Sequence, residues 1–157
     1  MTNNKPQFEP VIIMFCCYWC SYTGADLAGT SRIQYPPNAR IIRVQCSGMI
    51  QTSLIFETLL AGADGVLVCG CHPGDCHYIE GNLRARNRAD AVGVMLEDYG
   101  IEPERFRLEW VSAAEGQRFA QVVAEMVEQV RSVGPSPFRK SAQAVCEHSA
   151  SQTPASV

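Results

Sequence analysis

The stretch "VLVCGCHPGDCHY", residues 66–78, carries an apolar run directly into a loop that is rich in cysteine and histidine. The run that leads into this loop, "DGVLVCG" at 64–70, is short and rich in branched side chains, which predicts a β-strand. Because its apolar residues are nearly uninterrupted, we expect a strand that is buried on both faces. Gly70, Pro73 and Gly74 predict a loop that can wrap closely around a bound inorganic group.

Three other runs also predict strands: "VIIMFCC" (11–17), "RIIRVQC" (40–46) and "FRLEWV" (106–111). The first is almost unbroken in apolarity, like 64–70. The run at 106–111 instead alternates apolar and charged residues, which is typical of an edge strand with one wetter face.

Helical patterns follow the predicted strands at 40–46, 64–70 and 106–111. The segment between the strands at 11–17 and 40–46 is predicted only as a connection. A helix is expected over 47–62, ending at Gly62, which suits a helix C-cap. A second is expected over 78–99, and "SAAE" at 112–115 indicates a capping box that opens the last helix. Alternating strands and helices predict an α/β fold: a single domain with a four-stranded, mostly parallel open sheet flanked by helices.

Length and composition limit the classes of protein to consider. At 157 residues the chain has the size of one domain. We predict an amino-terminal extension at 1–10 and a disordered, Ser- and Ala-rich tail at 139–157. The formal net charge of −3 argues against a duplex nucleic-acid binder. No apolar run approaches the ~20 residues of a membrane span, and the amino-terminal residues do not have the order of a secretory signal. A cytoplasmic protein is therefore expected.

The eight cysteines require an explanation. Disulfides occur mainly in small secreted folds that lack a large core. This chain is predicted to have a core and no secretory signal, so disulfides are not expected. Cys16 and Cys69 lie inside apolar runs, where a thiol packs as a small hydrophobic group. The remaining spacings, C-x-x-C at 17–20 and C-x4-C at 71–76 among glycine, proline, histidine and aspartate, indicate a bound metal.

Five thiols are predicted to meet at one edge of the sheet. Cys17 and Cys46 end the first and second strands, and Cys71 follows the third, while Cys20 and Cys76 lie in the adjoining loops. Parallel strands place their carboxyl ends on the same edge, where open α/β sheets bind ligands. Helices that begin near Ser47 and Tyr78 are expected to direct their positive ends at these thiols. The site is therefore predicted in loops at the carboxyl ends of the strands.

The spacing alone leaves the metal open. Structural zinc takes four thiolate or imidazole ligands, and C-x-x-C suits it as well as it suits iron. Cysteine also ligates iron–sulfur clusters, and the two pairs in "CYWC" and "CHPGDC" suit a two-iron cluster. A site with two histidines, His72 and His77, is a further possibility, but five thiols make histidine ligands unnecessary. We interpret both histidines as ordinary loop residues.

Two classes of protein without a metal share part of this pattern. A C-x-x-C pair between a strand and a helix is found in thioredoxin-like thiol redox proteins, but that chemistry would leave the other cysteines without a role. A dinucleotide-binding domain fits poorly, because "GADLAG" is not a G-x-G-x-x-G fingerprint.

Long strings of the sequence resemble one family closely. They are "CYWCSYTGADLAGTSRIQYPPNARIIRVQCSG" at 17–48, "GADGVLVCGCHPGDCHYIEGN" at 62–82 and "RLEWVSAAEGQRFA" at 107–120. The chain resembles, over residues 11–138, the delta (iron–sulfur) subunit of methyl-viologen-reducing hydrogenase. Extra thiols at Cys16, Cys69 and Cys146, and a tyrosine at Tyr18, depart from that family's pattern.

The resemblance implies a small electron-transfer subunit without its own active site, carrying a [2Fe–2S] cluster. The family's partners are a heterodisulfide-reductase-type flavoprotein subunit and an input module, either the hydrogenase small subunit or a formate dehydrogenase-type subunit. The family's cysteine positions match Cys17, Cys20, Cys46, Cys71 and Cys76, four of which suffice for the cluster. Cys46 stands apart, because the other four form two local pairs. The alternatives are a zinc-stabilised interaction module and a thioredoxin-like thiol redox protein.

Overall fold

A computed structural model describes residues 8–139 of the chain. Its four strands are β1 (Ile12–Cys17), β2 (Ala39–Val44), β3 (Gly65–Gly70) and β4 (Phe106–Trp110). Its four α-helices are α1 (Ser21–Thr30), α2 (Thr52–Leu60), α3 (Gly81–Asp98) and α4 (Gly116–Val133). Single 3₁₀ turns lie at Ser47–Met49 and Pro103–Arg105. Residues 1–7 and 140–157, which include most of the predicted tail and Cys146, lie outside the described residues.

The strands form one sheet in the order β2-β1-β3-β4, and all three pairings are parallel. This confirms the predicted four-stranded α/β fold, and β4 does lie at an edge. β1 and β3 are the two inner strands, and β3 is buried along its whole length, as its apolar run predicts. Cys16 of β1 is opposite Cys69 of β3 in the register, which places the carboxyl ends of these two strands side by side.

The sheet separates two apolar cores. Met14 and Leu67 lie in the core beneath α1 and α4, whereas Phe15 and Val68 lie in the core beneath α2 and α3. Successive strand residues point to opposite faces, so one continuous apolar run supplies both cores. The chain leaves β1 towards β2 and leaves β3 towards β4, so the connections diverge in opposite directions between the two inner strands. Open α/β sheets bind ligands in the crevice at such a switch point.

Helix α1 was not predicted by the sequence pattern. The buried positions of this helix are small, namely Ser21, Gly24, Ala25 and Ala28, so no stripe of large apolar side chains marks it. A Cβ atom at Gly24 would lie 2.8 Å from the Ser112 carbonyl oxygen, which shows how closely the helix packs on the loop after β4. The small residues of α1 allow the helix to pack closely, but they produce no hydrophobic periodicity in the sequence.

Three predicted boundaries were wrong. The helix predicted over 47–62 is broken, because Ile50 and Gln51 are extended between a 3₁₀ turn and α2. Gly62 does follow α2 with a positive φ of 99°. The second helix begins at Gly81 instead of 78, and α4 begins at Gly116 instead of at "SAAE". Glu115 accepts a hydrogen bond from the Ser112 backbone N–H, but its carboxylate also binds His72, so these residues form a turn before α4.

The charged face of β4 is covered rather than wet. Arg107 binds Glu125 of α4 at 2.7 Å, and Arg118 of α4 binds Glu109 at 2.8 Å. These four side chains form an ion-pair network between the edge strand and α4. The alternation therefore identified the edge correctly, but not the helix that covers it.

Candidate metal centre

Three thiols meet in the crevice between β1 and β3. Cys17 is the last residue of β1, Cys71 directly follows β3, and Cys20 lies one turn beyond Cys17, immediately before α1. Their three Sγ atoms all lie within 4.8 Å of one another, and the Cys17 and Cys71 sulfurs are 3.9 Å apart. All three residues are buried. Residues that are 54 positions apart in sequence thus form one compact sulfur site.

The other two predicted thiols border this group. Cys76 is half-buried and packs against the three thiols, whereas Cys46 is buried two residues beyond the end of β2. Both sulfurs lie against Gly81, where an added Cβ atom would overlap the Cys46 Sγ atom and come within 3.2 Å of the Cys76 Sγ atom. The structure therefore brings all five predicted residues to the same edge, as a group of three with a neighbouring pair.

The electrostatics favour a shared negative charge on the three thiols. Hydrogen bonds from the Cys20 and Cys71 thiols, and from the backbone N–H groups of Trp19 and Ser47, lower the pKa of Cys17 well below its ordinary value. The same interactions with Cys17 raise the pKa of Cys20 and of Cys71. One thiolate is thus stabilised by two protonated neighbours. A bound metal cation takes the place of those protons, because thiol ligands bind metals in the deprotonated form.

Backbone N–H groups also point at the sulfurs. Gly48 N donates to the Cys46 sulfur at 3.4 Å, and the His77 N–H donates to the Cys71 sulfur. α1 begins directly after Cys20, and the 3₁₀ turn at Ser47–Met49 begins directly after Cys46. These N–H groups and helix starts provide positive charge density around the site.

Two side chains of α3, neither of them predicted for this role, hold the loops in place. Asn82 is buried at the start of α3, and its Nδ2 donates to the carbonyl oxygens of Cys71 (3.2 Å) and His72 (2.7 Å). Arg88 donates to the carbonyl oxygens of Gly48 and, at 3.0 Å, Ile50. The only signal in the sequence was the position of both residues in the helix that follows Cys76.

The rings of His72 and His77 contact other side chains instead of the cysteine sulfurs. The Nε2 atom of His72 lies 2.7 Å from a carboxylate oxygen of Glu115, which also accepts a hydrogen bond from the Ser112 N–H. The ring of His77 stacks on Trp19 with a centroid separation of 3.8 Å. This stacked pair links the two cysteine-bearing loops at the surface.

Cys16 and Cys69 pack inside the core, as their apolar surroundings predict. Both have fully buried side chains, and burial raises the pKa of Cys16 to about 12 and that of Cys69 well above its ordinary value. A thiol so strongly held in its protonated form is a poor metal ligand. Among residues 8–139, the thiols thus separate into two core residues and five at the sheet edge.

Comparison with known protein families decides which family this fold and site represent. The profile of the family described as "Methyl-viologen-reducing hydrogenase, delta subunit" matches residues 12–134. The chain belongs to this family. A relative from Archaeoglobus profundus, named as an iron–sulfur subunit of F420-non-reducing hydrogenase, is 48% identical over 85% of this chain and 98% of that protein.

Other members of the delta-subunit family show two forms of the same domain. The vhu iron–sulfur subunit of F420-non-reducing hydrogenase from Methanocaldococcus jannaschii is 42% identical over 83% of this chain and 98% of its own length. A subunit of the ferredoxin:CoB-CoM heterodisulfide reductase of Methanosarcina mazei is 47% identical over 85% of this chain, but the match spans only 17% of that protein. In the second form, the counterpart of this chain is one part of a much longer polypeptide. The chain is thus a subunit of the type associated with hydrogenases and heterodisulfide reductases.

Helices α3 and α4 are the longest in residues 8–139, at 18 residues each. No helix in this part of the chain is both long enough and apolar enough to cross a membrane.

Proposed function

We propose that the chain is a non-catalytic electron-transfer subunit that carries a [2Fe–2S] cluster on four of the five sheet-edge cysteines. Electrons would pass from an input oxidoreductase, through a hydrogenase small subunit or a formate dehydrogenase-type subunit, to a heterodisulfide-reductase-type flavoprotein subunit. The observation that carries this proposal is the group of Cys17, Cys20 and Cys71, with three sulfurs within 4.8 Å at the ends of two inner strands.

The donor set fits an iron–sulfur cluster. [2Fe–2S] clusters are held by four cysteine thiolates, and the group of three together with Cys76 or Cys46 supplies that number. When bound, an all-cysteine cluster of this type supplies a one-electron couple near about −400 mV. The chain's own residues bind the irons, donate N–H hydrogen bonds to sulfur and limit the access of water. Hydrogen bonds to sulfur and solvent exposure are the terms by which a protein sets the potential of such a cluster.

The relatives support the proposed partners. Hydrogenase subunits and heterodisulfide reductase subunits both occur among the proteins that this chain matches, and several of the hydrogenase relatives are named as iron–sulfur subunits. A relay needs no substrate pocket, but it does need two protein surfaces that reach the cluster. Two openings lie beside the thiols, a groove of about 590 Å³ that reaches Cys46 and a smaller cavity of about 260 Å³ that reaches Cys20 and Cys71.

A zinc-stabilised interaction module is the second candidate, because the distance between two of the sulfurs fits zinc as well as iron. Zinc binds thiolates at about 2.3 Å in a tetrahedron, which places neighbouring sulfurs about 3.8 Å apart. The Cys17 and Cys71 sulfurs, 3.9 Å apart, meet this requirement as well as they meet that of iron. The thioredoxin-like alternative is less well supported, since Cys17 is 1% exposed and a catalytic thiol must be accessible to its substrate.

Metal analysis of the purified chain tests the proposal. We expect a coloured protein with about two irons and two acid-labile sulfides per chain, visible absorption, and an EPR signal after one-electron reduction. A colourless protein with one zinc per chain and no labile sulfide would establish the zinc module instead. Disulfide turnover by a metal-free chain, lost when only Cys17 and Cys20 are replaced, would favour the thioredoxin-like function.

A further inference from the structure

A surface groove runs along one side of the five thiols. Its walls come from the turn after β2 and from the segment that leads into α3, and it encloses about 590 Å³. Cys46 and Gly81 line its inner end, and Met49, Tyr78, Ile79 and Arg84 lie towards its outer part. The groove thus reaches from solvent to Cys46, whose sulfur lies against Gly81 next to that of Cys76.

Three large apolar side chains in the outer part of the groove are exposed to solvent. Met49 is 58% exposed, Tyr78 50% and Ile79 83%. Single exposed apolar residues are common on protein surfaces, but a contiguous group beside a functional site indicates a surface that binds another protein. These three side chains lie within one groove, so they form such a group.

The backbone at Ile79 is held in a strained conformation. Its φ is +70°, a left-handed value that β-branched residues rarely adopt. The turn is fixed by hydrogen bonds from the Ile79 N–H to the Cys76 carbonyl at 2.9 Å and from the Glu80 N–H to the Tyr78 carbonyl at 2.8 Å. Strain of this kind persists at functional sites more often than elsewhere. A glycine would meet the backbone requirement without strain, so the exposed isoleucine side chain calls for a role of its own.

The lining of the groove carries Glu80 and Arg84, and an excess of positive charge follows along α3 beside it. The first two turns of α3 carry Arg84, Arg86 and Arg88 and no acidic residue. Arg88 is engaged with the Gly48 and Ile50 carbonyls, and Arg84 has only a long 3.6 Å ion pair with exposed Glu80. Exposed pairs of this type are weak, so Arg84 is available to a partner's carboxylate.

We propose that this groove is the docking site of the heterodisulfide-reductase-type flavoprotein, which inserts an apolar side chain flanked by carboxylates. This inference rests on the proposed function and assigns one partner to one opening. The counterpart of this chain in the Methanosarcina mazei protein is part of the same polypeptide as a heterodisulfide reductase subunit, which indicates a permanent association. Permanent interfaces are more apolar than transient ones. The other opening encloses only about 260 Å³, and its lining is mixed, with Trp19 beside His72 and Asp75, so it offers a partner less room than the groove does.

The test measures binding of the purified chain, with its metal in place, to the purified heterodisulfide-reductase-type flavoprotein of the same organism. Ile79→Asp places a charge in the apolar groove and is expected to weaken binding about tenfold or more. Val94→Asp is the matched control, because Val94 is also β-branched and 61% exposed but lies in α3, outside the groove lining. Binding by this variant is expected to stay within about twofold of the unchanged chain.

A second variant separates binding from folding. Ile79→Gly relieves the backbone strain, so it is expected to raise the Tm of the free chain while it weakens the complex. Arg84→Glu is expected to weaken binding and to reduce the dependence of the affinity on salt. Unchanged binding by both Ile79 variants would overturn the inference, and so would the absence of any binding by the unchanged chain. Iron and sulfide analysis of the same samples reports separately on the cluster, so failure of the relay and failure of the docking site are distinguishable.

Discussion

Gly81 and Cys46 are packed so closely that the glycine leaves no room for a side chain. A Cβ atom at Gly81 would overlap the Cys46 Sγ atom and would lie 3.2 Å from the Cys76 Sγ atom. The Cys46 and Cys76 sulfurs thus pack against the backbone of Gly81, the first residue of α3. Substitutions at this contact and at others around the site have distinct expected outcomes.

Gly81→Ala is expected to displace Cys46 and Cys76 and to lower both stability and iron content. Overpacking of this kind costs about 1–3 kcal/mol of unfolding free energy, which exceeds the gain in helix propensity. Gly93→Ala is the matched control, because it lies in the same helix and a Cβ atom there meets nothing within 4 Å. That variant should gain about 0.5–1 kcal/mol and keep its metal. Urea unfolding and iron analysis check both, and equal behaviour of the two variants would contradict the packing argument.

Substitutions of single cysteines should identify the four ligands. We expect Cys17→Ser, Cys20→Ser, Cys71→Ser and Cys76→Ser each to lose most of the iron and the visible absorption. Cys46→Ser should keep about two irons per chain, because Cys46 borders the thiol group, whereas Cys76 packs directly against it. Cys69→Ala, a change at a fully buried core thiol, is the control and should keep the spectrum. Full iron content in both Cys71→Ser and Cys76→Ser would show that this ligand set is wrong.

Asn82→Ala is expected to destabilise the loop that carries Cys71. The change removes the amide group that donates hydrogen bonds to the Cys71 and His72 carbonyl oxygens. Both oxygens lose this donor in a largely buried site. An unsatisfied buried polar group costs about 1–3 kcal/mol, which would appear as a lower urea midpoint. Asn87→Ala, at an exposed position of the same helix, should change the free energy of unfolding by no more than about 0.5 kcal/mol. A loss no larger than that of the control would mean that Asn82 does not support the loop.

Glu115 is expected to contribute to the acid sensitivity of the chain. The Ser112 backbone N–H and then His72 lower the pKa of this carboxyl from 4.5 to about 2. Because the folded-state pKa is the lower one, the stabilisation is present above the ordinary value of 4.5 and is lost as the pH falls towards 2. Glu115→Gln should therefore flatten the dependence of Tm on pH in that window. An exposed carboxyl on α3, Glu97, provides the control substitution Glu97→Gln, and identical pH profiles for Glu115→Gln and the unchanged chain would contradict the prediction.

The sequence predicted the sheet because its signal is local. The apolar runs at 11–17 and 64–70 supply both faces of a buried strand, and a run of this kind has few alternatives to a parallel sheet. Helix α1 escaped detection because it packs through Gly24, Ala25 and Ala28, and small residues leave no hydrophobic period to count. The break at Ile50–Gln51 was missed for a related reason, since the apolar pattern of 47–62 continues across it.

The sequence by itself determined which residues are candidates and which edge of the sheet they share. Cysteines at the ends of parallel strands must lie on one edge, whatever the details of packing. Only the tertiary structure decided how they group, because distances between residues 54 positions apart depend on strand order and on the close contacts of Gly81, Asn82 and Arg88. Strand order placed β1 beside β3 and so brought Cys17 to Cys71, whereas Cys46, at the end of the outer strand β2, was left at the border.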